Sequence, residues 1–215
     1  MKALVTGGAG FIASRLADRL LSEGYDVTAM DNLTEDHLAN LAHLKKEMSY
    51  SFVKADLKDA RAVVRLVKGM DVVFHLAAQA NIRRSLVDYM ADLDNNLVGT
   101  INILEGMIEW KVKEMLFAST SAIYGEATVR PTSESYMPVQ NSLYGSSKMA
   151  CMRGIHASLL PVLRYQLMVL PILQRRRRAL PAQSHLGLGQ EAQEGPEIPQ
   201  CPRRRQAEQG VHLRG

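Results

Sequence analysis

A chain of 215 residues, 47% of them apolar, has the size and apolar content of one large globular domain, or of one domain with a small appendage. No run of 18 apolar residues marks a membrane span, and the two cysteines, Cys151 and Cys201, are too few for a disulfide scaffold and lack metal-ligand spacing. The formal charge of +4 is uneven: up to Lys148 there are 16 basic against 18 acidic residues, and beyond it 10 Arg against four Glu, so no nucleic-acid partner is expected for the body of the chain.

The run MKALVTGGAGFIA, Met1 to Ala13, reads as a short strand, a glycine turn and a helix start. That is the layout of a dinucleotide-binding fingerprint, with Gly7, Gly10 and Ala13 in its three small-residue positions. Ala3, Leu4 and Val5 supply the strand; Phe11, Ile12, Leu16 and Leu20 supply the buried face of a helix over Ile12 to Ser22. Gly7 allows the tight turn, and Gly10 lets backbone approach a pyrophosphate. The helix N-terminus then offers unpaired N–H groups and a partial positive charge. The strand begins at Met1 with no separate signal segment, and a reducing cytoplasm is the expected compartment.

Further strands are predicted at Asp26 to Met30, Tyr50 to Lys54, Val72 to His75, Met115 to Ser119 and Arg164 to Leu170. Helices are predicted at about Glu35 to Lys46, Lys58 to Lys68, Asp92 to Trp110 and about Ser142 to Leu160. Such alternation predicts an α/β fold, a Rossmann-type doubly wound parallel sheet over residues 1–174, with the loops after successive strands gathered along one edge.

Those loops carry the candidate binding groups. Asp31 follows the second strand, where a carboxylate accepts both ribose hydroxyls and repels a 2′-phosphate, favouring NAD over NADP; the alternative is an Asp capping a loop. Asp56 falls near the adenine edge, or serves as N-cap of the helix through Leu66. In HLAAQ, His75 to Gln79, the small Ala77 and Ala78 leave room for a cofactor to cross the sheet edge, and His75 reads as a structural polar residue beneath the sheet. Asn95 and Asn96 sit inside a helical pattern that disfavours amides, and Asn96 is expected to bond within the helix backbone and hold its carbonyl toward a lysine.

That lysine is Lys148. Tyr144 and Lys148 are four residues apart and share one helix face, so the ammonium is expected to lower the phenol from its ordinary value of about 10. Thr120, at the end of the fifth strand, can hydrogen-bond a substrate oxygen and align it with Tyr144. The set suits removal of a hydroxyl proton while a nicotinamide accepts the carbon-bound hydride. Beyond about residue 175 the pattern stops. Residues 175–215 are rich in Arg, Gln and Pro, hold no Phe, Trp, Asp or Lys, and are expected to be a disordered tail of foreign or out-of-frame character. The arginine runs Arg175 to Arg178 and Arg203 to Arg205 lack aromatic stacking partners.

The first 148 residues resemble the extended short-chain dehydrogenases/reductases, specifically the NAD-dependent sugar-nucleotide epimerases and dehydratases, of the UDP-glucose and UDP-glucuronate 4-epimerase type. The family's TGGAGFIGS appears as Thr6 to Ser14 with Ala13 for glycine, its HLAAQ at His75 to Gln79, its NxxGT at Asn96 to Thr100 and its YxxxK at Tyr144 to Lys148. The resemblance implies catalysis by Thr120, Tyr144 and Lys148. It implies NAD contacts at Gly7, Gly10, Phe11, Ile12, Asp31, Asn32, Asp56, Leu57, Leu76, Ala77, Ala78, Gln79, Asn96, Tyr144 and Lys148, and a nucleotide sugar near Arg83, Ser85, Thr120 and Tyr124.

Dehydratases of the family carry an acid/base pair after the Ser/Thr. Here Ser121 and Ala122 follow Thr120, which points to a UDP-sugar 4-epimerase, with a sugar-nucleotide dehydratase or reductase, or an inactive dinucleotide-binding fragment, as alternatives. The family's Arg-x-x-Asn run after the sixth strand is not recognisable, so the substrate domain is expected to be incomplete. Leu93, Leu97, Ile101, Leu104 and Ile108, with Leu143, Met149, Ile155 and Leu159, exceed what one sheet face needs, and in the resembled family these helices pair across a homodimer.

Overall fold

Ala3, Leu4, Val5 and Thr6 of β1 (Lys2–Thr6) are all buried, as in a strand with its sheet covered on both faces. The computed structural model describes residues 1–35, 37–79, 87–129, 131–159 and 166–172. Its six strands are β1, β2 (Asp26–Asp31), β3 (Tyr50–Lys54), β4 (Val72–His75), β5 (Glu114–Thr120) and β6 (Gln166–Ile172). They form one sheet in the order β3-β2-β1-β4-β5-β6, every neighbouring pair parallel. After β3 the chain crosses to the far side of β1, and a crevice lies along the strand ends at this reversal. The expected doubly wound sheet is therefore the one observed.

The helices are α1 (Phe11–Ser22), α2 (Ala60–Val67), α3 (Tyr89–Asp92), α4 (Gly99–Trp110) and α5 (Leu143–Leu159). Alternation along β1 divides the core in two. Leu4 packs with Val63 and Val67 of α2, Ile103 and Met107 of α4, and Cys151 and Ile155 of α5. Ala3 and Val5 face the other way, onto Ala13, Ala17 and Leu20 of α1. Ala13 is buried there, so the methyl that replaces the third fingerprint glycine is part of the helix–sheet contact.

The structure corrects four local expectations. Phe11 and Ile12 do not belong to the buried face of α1: they are 70% and 47% exposed, because the small Ala13 and Ala17 let the helix lie close and occupy the face the larger residues were expected to fill. Glu35 to Lys46 is not a helix. It contains two short 3-10 turns, Leu38–Leu41 and Leu44–Lys46, since leucines at spacing three suit a three-residue turn and Asn40 is drawn aside to the Ala9 carbonyl at 2.8 Å. Asp59, not Asp56, caps α2, accepting from the Ala62 amide at 3.0 Å. The helix expected from Asp92 starts at Tyr89, and Leu93–Val98 is a π-helical stretch between α3 and α4.

Among the described residues no helix is long and apolar enough to cross a membrane. The expected tail at 175–215, with its arginine runs, lies outside the described residues.

Candidate functional site

At the end of β1 the chain turns at Gly7 with φ +68°, a conformation glycine adopts without strain. The Gly10 amide donates to the Gly7 carbonyl at 2.9 Å, and the Gly8 amide to Met30 at 2.9 Å. α1 then begins with no side-chain cap and no acidic residue in its first turn, so its leading amides are free to meet an anion. Phe11 and Ile12 are placed to contribute these amides, not their exposed side chains.

A crevice of about 590 Å³ runs along the strand ends from this turn, within the range of cofactor sites. Of the residues expected at the cofactor, Gly7, Gly10, Asp31, Asn32, Asp56, Leu57, Leu76, Ala77, Ala78 and Gln79 line it; Phe11, Ile12, Asn96, Tyr144 and Lys148 do not. Asp31 accepts from the Ala9 amide at 3.1 Å and the Leu33 amide at 2.8 Å, bonds that hold the carboxylate in place and leave it further acceptor capacity for hydroxyls. Asp56 accepts from the Lys58 amide at 2.9 Å and from Asn32 at 3.3 Å. Lys58 is the one lysine or arginine among the described lining residues, and its ammonium faces Asp56 at 3.7 Å. Free amides at one end and two carboxylates at the other fit a dinucleotide without a 2′-phosphate. Sequence reasoning did not assign Met30, Thr34, Glu35, His37, Ala55, Lys58 and Asn95 to this wall; the signal for Asn95 was its presence inside a helix.

Next to the crevice, Thr120 ends β5, and Tyr144 and Lys148 stand one turn apart on α5. Thr120 Oγ1 accepts from the Ala122 amide at 3.2 Å, and Thr120 is the side chain that draws the Tyr144 phenol down. Lys148 is 2% exposed, with its Nζ 4.2 Å from the centre of the Phe117 ring. Burial pushes the Lys148 ammonium down to about 8. Burial also raises the Tyr144 phenol, against the pull of Thr120, with the Asp92 charge adding to the rise. The phenol therefore moves up and not down as expected: desolvation is the largest influence on it, and the Lys148 ammonium sits over the Phe117 face.

The π-helical stretch joins crevice and cluster. The Asn96 Oδ1 accepts from the Gln79 amide at 2.7 Å, and its Nδ2 donates to Ser147 Oγ at 2.9 Å, in the turn between Tyr144 and Lys148. Asn96 thus bridges a loop and another helix and does not bond within its own backbone as expected. Its carbonyl is taken by the Thr100 hydroxyl at 2.6 Å and Cys151 Sγ at 3.2 Å. Neither Ser147 nor Cys151 was singled out as part of the site, because only the folded packing brings them to Asn96.

His75 is part of the same framework. It lies 2.7 Å from Thr6 Oγ1 through Nδ1 and 2.9 Å from Thr100 Oγ1 through Nε2. Thr100 spends its proton on Asn96, so Nε2 donates to Thr100 and Nδ1 accepts from Thr6, which in turn accepts from the Ala77 amide at 3.2 Å. The imidazole is neutral and structural, as expected. Burial, with the Lys148 charge adding, pushes it down to about 3 from about 6.5. The unfolded chain therefore binds the extra proton between those values, and stability present above pH 6.5 falls as pH drops, by up to about 5 kcal/mol. The melting temperature of the parent should fall more steeply between pH 7 and about pH 4.5 than that of a His75→Gln chain; equal slopes would exclude His75 as the titrating group.

Tyr124 closes the 3-10 turn Ser121–Tyr124 after β5 and packs edge-on against Tyr136, centroids 6.2 Å apart. It lines a second cavity, of about 870 Å³, with Met149, Met152 and Arg153 of α5. Arg83 and Ser85, expected near a nucleotide sugar, lie outside the described residues.

Comparison with known proteins agrees with this geometry. A UDP-glucose 4-epimerase of Mycolicibacterium smegmatis is 39% identical over 153 residues, 70% of this chain and 49% of that protein. A UDP-glucuronate 4-epimerase of Thermodesulfobacterium geofontis is 38% identical over 128 residues, 56% of this chain and 40% of that protein. The crystal structure of the Bacillus cereus UDP-glucuronic acid 4-epimerase, in complex with UDP-glucuronic acid and NAD, superposes with a TM-score of 0.73 at 30% identity, over 80% of this chain and 56% of that one. The chain spans about half the length of the curated relatives it matches. Residues 3–159 match the model of the NAD dependent epimerase/dehydratase family, and the chain belongs to that family.

Proposed function

We propose that this chain serves NAD-dependent epimerisation of a UDP-sugar at C4. The observation that carries the proposal is the Asn96 bridge, which fixes the turn holding Tyr144 and Lys148 against Gln79 on the crevice wall. The glycine turn and the leading amides of α1 would hold the pyrophosphate of NAD, and Asp31 the adenosine ribose hydroxyls. The bound nicotinamide supplies a hydride acceptor that can return the hydride. Thr120 positions a sugar hydroxyl, Tyr144 takes its proton and later gives it back, and the buried Lys148 offsets negative charge as it develops on the phenol. Ser121 and Ala122, in the positions after Thr120, carry no carboxylate, which supports epimerisation over dehydration. The relatives named above are themselves 4-epimerases.

Incubation with NAD and UDP-glucose or UDP-glucuronate, with the products resolved by chromatography, should yield the 4-epimer. Calorimetry should show NAD bound more tightly than NADP. Bound cofactor with no product would favour a second reading, a dinucleotide-binding module without turnover; preference for NADP would overturn the role given to Asp31.

The same helices support a homodimer. Leu104 and Ile155 are taken up by the core, but Met90, Leu93, Ile101 and Ile108 remain 40% exposed or more and form an apolar stripe at helical spacing. Light scattering coupled to gel filtration should read twice the chain mass, and a monomer at high concentration would defeat the claim. A reducing cytoplasm is our reading of the compartment, supported by the free, buried Cys151.

A further inference from the structure

Asn95 and Asn96 stand side by side in a helical pattern that disfavours amides, and the bridge from Gln79 to Ser147 uses only Asn96. Asn95 has an attachment of its own. Its Nδ2 donates to the Ala91 carbonyl at 2.7 Å. A carbonyl can only accept, so the NH2 end of the amide is the end turned to the backbone. Oδ1 and the second Nδ2 hydrogen are left over. Among the described residues nothing donates to that oxygen, and Asn95 lies on the crevice wall.

The packing of α4 decides which part of the crevice Asn95 borders. One turn after Asn95, Gly99 meets Leu57 so closely that a Cβ there would stand 2.9 Å from the Leu57 Cβ. Asn102 donates to the Leu57 carbonyl at 2.7 Å. This edge of the helix is laid against the loop after β3, and Asn95 is at its crevice end, where Asp56 and Leu57 also line the wall. The glycine turn and its free amides lie at the opposite end. A pyrophosphate has no donors for Asp56 and Asn95, whereas a flat apolar ring with an exocyclic amine suits both acceptors and the leucine between them. Adenine presents N6–H to give and N7 to receive along one edge, which an asparagine amide matches with its own acceptor and donor.

We propose that Asn95 reads the adenine of NAD. Oδ1 accepts from the 6-amino group, the second Nδ2 hydrogen goes to N7, and the Ala91 carbonyl keeps the amide from flipping. This rests on the reading of the crevice as an NAD site.

The test is binding, measured by calorimetry on the full chain with NAD and with nicotinamide hypoxanthine dinucleotide, in which a 6-oxo group replaces the amine. Asn95→Ala should weaken NAD binding about fivefold, the size of one hydrogen bond. The hypoxanthine form should bind it unchanged or more tightly, because in the parent its oxygen faces another acceptor. ADP-ribose, which keeps the adenine and lacks the nicotinamide, should lose as much as NAD. Equal loss for both dinucleotides is what a framework role predicts and overturns the proposal, as does a loss with NAD that ADP-ribose does not share. Asn95→Ser repeats the comparison with a hydroxyl that can still bond the Ala91 carbonyl. If neither variant folds, Asn95 serves the helix alone and the proposal is wrong. A parent that binds neither dinucleotide would overturn the NAD site and this contact together; a parent that binds NAD, with variants that do not discriminate, overturns the contact alone.

Discussion

The Tyr144→Phe chain is expected to form product about 10³-fold more slowly than the parent, with NAD affinity nearly unchanged. The substitution removes one oxygen and leaves the ring in place. That oxygen is the atom proposed to exchange a proton with the sugar, so the loss should fall on that step. The crevice walls from Gly7 to Gln79 do not include Tyr144, and the Asn96–Ser147 bond that fixes the tyrosine's turn is untouched. A loss confined to kcat identifies an interaction made only in the transition state. Product chromatography and a calorimetric NAD titration on the same preparation check it; full turnover would refute the mechanism even with the fold correct.

A second large effect is expected at the turn. Gly7→Ala should weaken NAD binding by about 100-fold, equivalent to about 2.7 kcal/mol, and destabilise the fold by about 1–3 kcal/mol. A Cβ at Gly7 would stand 2.8 Å from the Ala77 Cα and 2.9 Å from the Ala77 nitrogen. These are backbone atoms of the loop after β4, unable to rotate aside, so the two loops that flank the crevice must part. Gly24 makes the control, because its φ is +81° but its Cβ would meet nothing within 4 Å. Gly24→Ala should therefore carry the backbone strain alone and bind NAD as the parent does. Equal affinity in Gly7→Ala and the parent would show that close approach of these loops is not needed for the cofactor.

What could be read from the sequence was what short-range chemistry decides. Gly7 and Gly10 announce a turn because few other residues tolerate it, and the apolar run Ala3 to Val5 before them places a strand. The spacing of Tyr144 and Lys148 puts them on one helix face whatever surrounds them. The misses share a different cause. Phe11 and Ile12 follow a helical period that includes them, but the contact distance set by Ala13 and Ala17 leaves them outside. Asp56 and Asp59 are both eligible caps, and the actual start of α2 chooses between them. The balance between desolvation and charge at Tyr144 depends on how deeply α5 is buried, which no local pattern carries. Asn96 looked out of place in a helix; that its amide reaches a loop and a second helix could be seen only with all three assembled.

The π-helical turn at Leu93–Val98 has a genetic corollary. Such a turn amounts to one extra residue held within an α-helix, and each residue of an α-helix turns the chain by about 100°. Losing a single codon in this stretch would restore a regular helix from α3 into α4 while swinging everything on one side of the deletion relative to the other. Asn96 could no longer reach both the Gln79 amide and Ser147 of α5. An in-frame lesion of three nucleotides would then leave a chain that folds, buries its core and has lost its active-site bridge.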